Sequence, residues 1–181
     1  MVYILLGKGF EEMEAIAPGD ILRRGEVDVC YLGVDALCIE GVHGISVTAD
    51  AVLDASISVS SDDFFVIPGG LGGVESIENS ENAMNLLRRA KEAGAHFAAI
   101  CAGPRVLAGL GILDGRNITC YPGCEEWMTG AIADCSKTVC YDEILTGRAP
   151  GSAYDFALVL LMQIKGLEVA ETVRDELVYV R

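Results

Sequence analysis

The stretch AAICAGPRVL, Ala98 to Leu107, decides the reading of the fold. His96 to Ile100 is a run of small and apolar residues suited to a short buried strand, and Pro104 with Val106, Leu107 and Leu110 opens a helix. Cys101 therefore stands on a sharp strand-to-helix turn. Turns of this kind hold a nucleophile above a sheet, and a helix start behind them lowers a thiol pKa. An inert buried cysteine is the alternative reading of the same residue.

Outward from this junction, strand-like and helical patterns alternate along the chain. Val2 to Leu6 reads as a strand, Glu12 to Arg24 as a helix with Ile16, Ile21 and Leu22 on its apolar side, and Val27 to Leu32 as the next strand. Short strands and turns fill Gly33 to Ala55. Phe64 to Ile67 is a buried strand ending at Pro68-Gly69-Gly70, and Ala83 to Ala93 a second strong helix. Beyond Leu110 come a strand at Asn117 to Cys120, a short helix near Glu125 to Met128, strands at Thr138 to Cys140 and Ile144 to Leu145, and helices at Ser152 to Ile164 and Leu167 to Val173. This alternation predicts an α/β fold: a doubly wound, mainly parallel sheet with helices on both faces and ligands at the carboxyl ends of its strands. Cys101 and the Pro-Gly-Gly turn both lie at such ends.

The 181 residues, 51% hydrophobic and 22% charged, suit one domain spanning 1–181. A net charge of -14 without a basic run disfavours nucleic acid as a partner. No apolar run approaches membrane-spanning length, and MVYILLGKGFEEME reads as a first strand rather than a leader, so a soluble, cytoplasmic protein is expected. Seven cysteines, Cys30, Cys38, Cys101, Cys120, Cys124, Cys135 and Cys140, are an odd number and are expected as reduced thiols. Cys120 with Cys124 and Cys135 with Cys140 loosely resemble paired zinc ligands but lack tight CxxC knuckles, so no metal is assigned.

Two further motifs carry chemistry. The run Pro68-Gly69-Gly70-Leu71-Gly72-Gly73 lets backbone approach a reacting atom and can aim peptide N–H groups into one concavity. A phosphate loop would need a following Lys-Ser/Thr, and Glu75 occupies the third glycine position of a dinucleotide fingerprint. Glu11, Glu12 and Glu14 crowd the start of the first helix, where its dipole favours acidic residues. The dipole explains two of them, the third is free to point inward, and periodicity does not say which.

The segments GKGFEEMEA, VIPGGLGG, AAICAGPRVLAGLGILDG and TGRAPGSAYDFAL, in this order and at these intervals, resemble the DJ-1 branch of the DJ-1/PfpI (ThiJ) superfamily over essentially the whole chain. The resemblance implies a flavodoxin-like fold (class I glutamine amidotransferase-like), a homodimer, and a reactive cysteine beside a protonated glutamate. Those residues are Cys101 and Glu14, with backbone N–H groups supplied at Gly69, Gly70 and Ala102. A glutamic acid that keeps its proton can hydrogen-bond a thiolate, so Cys101 is expected to be largely ionised at neutral pH.

Departures from the family pattern narrow the chemistry. Ala102 stands where the protease-like branch carries a histidine, which argues against a peptidase. Tyr121, in TCYPG, replaces a histidine found in some relatives; Arg24 matches a family arginine near the site, and His43 takes the place of a second. These three are the candidate substrate or anion contacts, and Arg148 either supports a dimer contact or a neighbouring loop or makes an ordinary surface ion pair. Two functions are implied: turnover of a small carbonyl compound, a 2-oxoaldehyde such as methylglyoxal, by Cys101 with Glu14 as acid and base and no cofactor; or an oxidative-stress sensor or protective chaperone whose Cys101 is oxidised to the sulfinate. Deglycation is the same carbonyl chemistry.

Overall fold

A computed structural model describes residues 1–134, 136–141 and 144–179. The first unit is βαβ: β1 (Val2–Leu6), α1 (Glu12–Arg24) and β2 (Val29–Gly33). Three short strands follow, β3 (Cys38–Glu40), β4 (Ser46–Thr48) and β5 (Ala51–Val52), then β6 (Phe64–Ile67). α2 (Leu71–Asn79) and α3 (Glu81–Ala93) lead to β7 (His96–Ile100) and α4 (Pro104–Gly109). The remainder is β8 (Asn117–Thr119), a 3₁₀ turn at Glu125–Trp127, β9 (Ile132–Asp134), β10 (Thr138–Tyr141), β11 (Ile144–Gly147), α5 (Ala153–Lys165) and α6 (Leu167–Glu176).

Seven strands form one sheet in the order β10-β11-β7-β6-β1-β2-β5, parallel throughout except for the β10–β11 pair at its edge. Strand alternation supplies two cores. Val2, Ile4 and Leu6 face one way, onto Ile21 and Leu22 of α1 and Phe156 and Leu160 of α5. Leu5, Phe65 and Ile67 face the other way, onto Val74 of α2, Leu86 of α3 and Val106 of α4. Both faces are thus covered, which is why the central strands read as continuous apolar runs. The result is the flavodoxin-like α/β arrangement expected.

The chain order runs from β1 outward to β2 and β5, then returns to place β6 on the other side of β1. That reversal is a topological switch point, and the loops after β1, β6 and β7 converge there. They carry the glutamates, the glycines and Cys101.

Three expectations need correction. The glycine run is a turn only as far as Gly70, and α2 begins at Leu71. Its two glycines hid a helix that has Val74 and Ile77 as its buried anchors; an added Cβ at Gly73 would lie 2.7 Å from Phe10 Cα. β8 does not join the main sheet but pairs in parallel with β9, a strand too exposed to announce itself by hydrophobicity. β2 begins at Val29 rather than Val27. Among the described residues no helix is long and apolar enough to cross a membrane.

Candidate active site

Cys101 has φ of 65°, a left-handed conformation that costs a residue with a Cβ about 1–3 kcal/mol. The surroundings hold it there. Its N–H donates to Gly147 O at 2.9 Å, its carbonyl accepts from Tyr121 N–H at 2.9 Å, and Gly103 N–H closes the turn on Ile100 O at 2.8 Å. An added Cβ at Gly103 would sit 2.3 Å from Ile67 O, so the turn after the nucleophile has room only for hydrogen.

The three glutamates prove to be buried and to hold three different positions. Glu11 caps α1, its Oε2 accepting from Glu14 N–H at 2.8 Å. Glu12 anchors the β3–β4 loop: Oε1 accepts from His43 N–H and Oε2 meets His43 Nδ1, each at 2.7 Å. Burial pushes Glu12 up, but the His43 side-chain bond and nearby backbone donors outweigh it and leave its carboxyl below the usual range. Glu14 is the inward one, with no exposed surface.

Glu14 Oε2 accepts from Gly69 N–H at 2.7 Å, while no N–H donor reaches Oε1. Cys101 lies beside this carboxyl. Desolvation dominates this carboxyl and pushes its pKa up to about 8 against the opposing bonds from Gly69 and Cys101, with Glu11 adding to the rise. Glu14 therefore keeps its proton at neutral pH.

The thiol itself departs from expectation. Burial pushes Cys101 up, an ionised Glu14 beside it acts in the same direction, and the N–H groups of Ala102 and Gly70 pull it down by less. The site thus lacks a thiol that is simply ionised at neutral pH: α4 is only six residues long and Cys101 is 8% exposed, so desolvation wins over the helix start. With Glu14 neutral the opposing charge disappears, and the thiolate is reached as one protonation state of a coupled pair.

Gly70 and Ala102 direct their N–H groups at the sulfur. Gly69 does not, because its N–H is taken by Glu14; its place in the site is one of close approach, since a Cβ there would lie 2.6 Å from Glu14 Oε2 and 2.7 Å from Cys101 Cβ. Tyr121 lines the cavity above Cys101. His43 is exposed and tied to Glu12, one residue beyond the cavity-lining Val42. Arg24 is not brought to Cys101 within the chain: it closes α1, roughly 15 Å along the helix from Glu14, with Nε on Asp20 Oδ2 at 2.8 Å. Arg148 supports a neighbouring loop, donating to Asp134 O at 3.4 Å.

The cavity has a volume of about 490 Å³, with Cys101 and Ala102 at its floor. Sequence reasoning missed much of its wall, including Val42, Leu71, Cys124, Trp127 and Pro150. The single tryptophan of the chain was the one signal available. Glu11, Glu12 and His43 bring three possible metal ligands within 4.8 Å of one another. Glu11 Oε2 and both Glu12 oxygens already accept hydrogen bonds or meet His43, and the positive end of α1 opposes a cation, so the cluster is complete as it stands. Of the cysteine pairs, Cys120 and Cys124 are buried neighbours, Cys135 lies outside the described residues, and Cys140 accepts from Gln163 Nε2 at 2.7 Å.

Known proteins resemble this chain in sequence and fold. Protein dj-1beta of Drosophila melanogaster is 34% identical over 173 residues, covering 94% of this chain and 92% of its own. A Caenorhabditis elegans relative named glutathione-independent glyoxalase DJR-1.2 is 32% identical over 160 residues, 87% of this chain and 84% of its own. The solved structure of Toxoplasma gondii DJ-1, oxidized, superposes with a TM-score of 0.90 at 28% identity, covering 99% of this chain and 98% of that one. The family model described as DJ-1/PfpI matches residues 1–163, and this chain, with its cysteine elbow and buried glutamate, belongs to the DJ-1/PfpI family.

Proposed function

We propose that the protein converts reactive 2-oxoaldehydes to 2-hydroxy acids, methylglyoxal to lactate, without glutathione, as a homodimer. The observation that carries this reading is Glu14: a fully buried carboxyl, pushed up to about 8, beside a cysteine whose sulfur faces two backbone N–H groups. A group with that pKa both gives and takes protons near neutrality.

The thiolate form of Cys101 attacks the aldehyde carbon beside protonated Glu14. A C–S bond forms, the C=O π pair moves to oxygen beside the N–H groups of Gly70 and Ala102, and protonation gives a hemithioacetal. Glu14, ionised by supplying that proton, then takes the hydrogen of the carbon as a proton, leaving an enediolate, and its return to the neighbouring carbon gives a thioester. Water displaces Cys101 and releases the acid, so one water is consumed overall. Purified protein incubated with methylglyoxal and no thiol cofactor should form lactate in step with aldehyde loss, and Cys101→Ala should form none. Aldehyde loss without lactate would rule the reading out.

The second reading is the oxidative-stress sensor or protective chaperone, with Cys101 as a sulfinate. It is favoured by the same donors, since Gly70 N–H, Ala102 N–H and a protonated Glu14 could each bond a sulfinate oxygen, and by a relative solved in an oxidized form. Turnover separates the two.

A further inference from the structure

The walls of the Cys101 cavity say which aldehydes fit it. Four large apolar side chains ring its mouth while remaining substantially exposed: Val42 (52%), Leu71 (50%), Tyr121 (47%) and Trp127 (38%). Exposed apolar side chains are ordinary one at a time, but four around one concavity with a nucleophile at its floor form a binding surface. Pro122 and Pro150 extend the wall with rigid apolar rings.

The charge of the cavity is as one-sided as its polarity. Among the described residues that line it none is Lys, Arg or His, and the single charged one is Glu11. Arg105, whose charge reaches Cys124 in the wall, is already engaged: its Nε donates to Glu78 Oε1 at 3.0 Å, and its guanidinium carbon lies 5.2 Å from the centroid of the Trp127 ring. That contact fixes the indole rather than offering a cation to a ligand. A carboxylate or phosphate on the substrate would meet Glu11 and a chain of net charge -14, with no cation among the described lining residues to offset them.

From this we infer that the site selects uncharged 2-oxoaldehydes carrying a flat apolar group, aryl glyoxals above all, with Trp127 as the specificity-determining wall, and rejects anionic ones. The inference rests on the proposed carbonyl chemistry at Cys101 and narrows its substrate. An aryl ring adjoining the ketone reaches from the floor toward the indole, where stacking and water exclusion favour it over a methyl group.

Intrinsic reactivity differs between aldehydes, so the test is a change of ratio. Steady-state kcat/KM is measured for phenylglyoxal, 4-carboxyphenylglyoxal and methylglyoxal with wild type and Trp127→Ala, whose side chain is exposed enough to remove without opening the core. In wild type the added carboxylate should cost at least about 10-fold. Trp127→Ala should lower the phenylglyoxal-to-methylglyoxal ratio by at least about 5-fold. A parallel series needs no turnover: the rate of Cys101 alkylation by 2-iodo-N-phenylacetamide, iodoacetamide and iodoacetate should fall in that order, and Trp127→Ala should remove the advantage of the phenyl reagent. Methylglyoxal turnover through Cys101 with an unchanged ratio in Trp127→Ala overturns this inference and leaves the parent reading intact. Absence of turnover with every aldehyde overturns the parent reading, and the alkylation order then decides alone whether the cavity prefers neutral aromatic ligands.

Discussion

At the scale of single residues, Glu14 and Cys101 are each costly alone and make sense together. A carboxyl without exposed surface is held neutral by desolvation, and a cysteine with φ of 65° stores strain that a purely structural thiol would not need. Carbon-13 labelled glutamate should show one carboxyl titrating near pH 8 and missing from Glu14→Gln; a wild-type spectrum with every carboxyl titrating near pH 4–5 would remove the proton from the pair. The elbow cysteine was legible because a nucleophile on a strand-to-helix turn leaves a mark in the order of small, apolar and helix-starting residues. Its protonation was not, because desolvation depends on what packs above the sulfur, and that is decided by loops far apart in sequence. The same holds for the three glutamates: composition put them at one helix start, and only tertiary packing divided them into a cap, a loop anchor and an inward acid.

At the scale of elements, the site is made by three βα junctions brought side by side by parallel register, Val66 against Ala98 and Ile4 against Val66. Long amphipathic pieces such as α1, α3 and α5 were readable because each buries one stripe, even though Pro18 inside α1 removes the bond that Glu14 O would accept there. α2 and β9 were not, since glycines blurred the first and exposure the second. The junctions tolerate little added volume. Gly69→Ala places a Cβ between Glu14 Oε2 and Cys101 Cβ. It should lower stability by about 1–3 kcal/mol in urea unfolding and lower aldehyde turnover by at least about 10-fold. Full activity in that variant would show that the Glu14–Cys101 spacing is not what the glycine protects.

At the scale of the whole molecule, the raised carboxyl links stability to pH. Glu14 binds its proton more tightly folded than unfolded, so its contribution is complete below its ordinary value of 4.5 and is lost as pH rises through about 8. Wild type should therefore lose up to about 1.4 kcal/mol per pH unit relative to Glu14→Gln across that window. Parallel pH dependence of the two in urea unfolding would contradict it. Met13 and Ile16 stand exposed on α1, an apolar strip suited to the proposed homodimer, and sedimentation at micromolar concentration should find a species of twice 19.2 kDa. The central claim is that one buried carboxyl moves the protons once sulfur has attacked. It is tested most directly in Glu14→Gln by intact-mass detection of a single methylglyoxal adduct on Cys101 together with the rate of lactate formation. The account predicts that the adduct persists, because the Gln amide still donates to sulfur, while lactate formation falls by at least about 100-fold; lactate formed at the wild-type rate would contradict it.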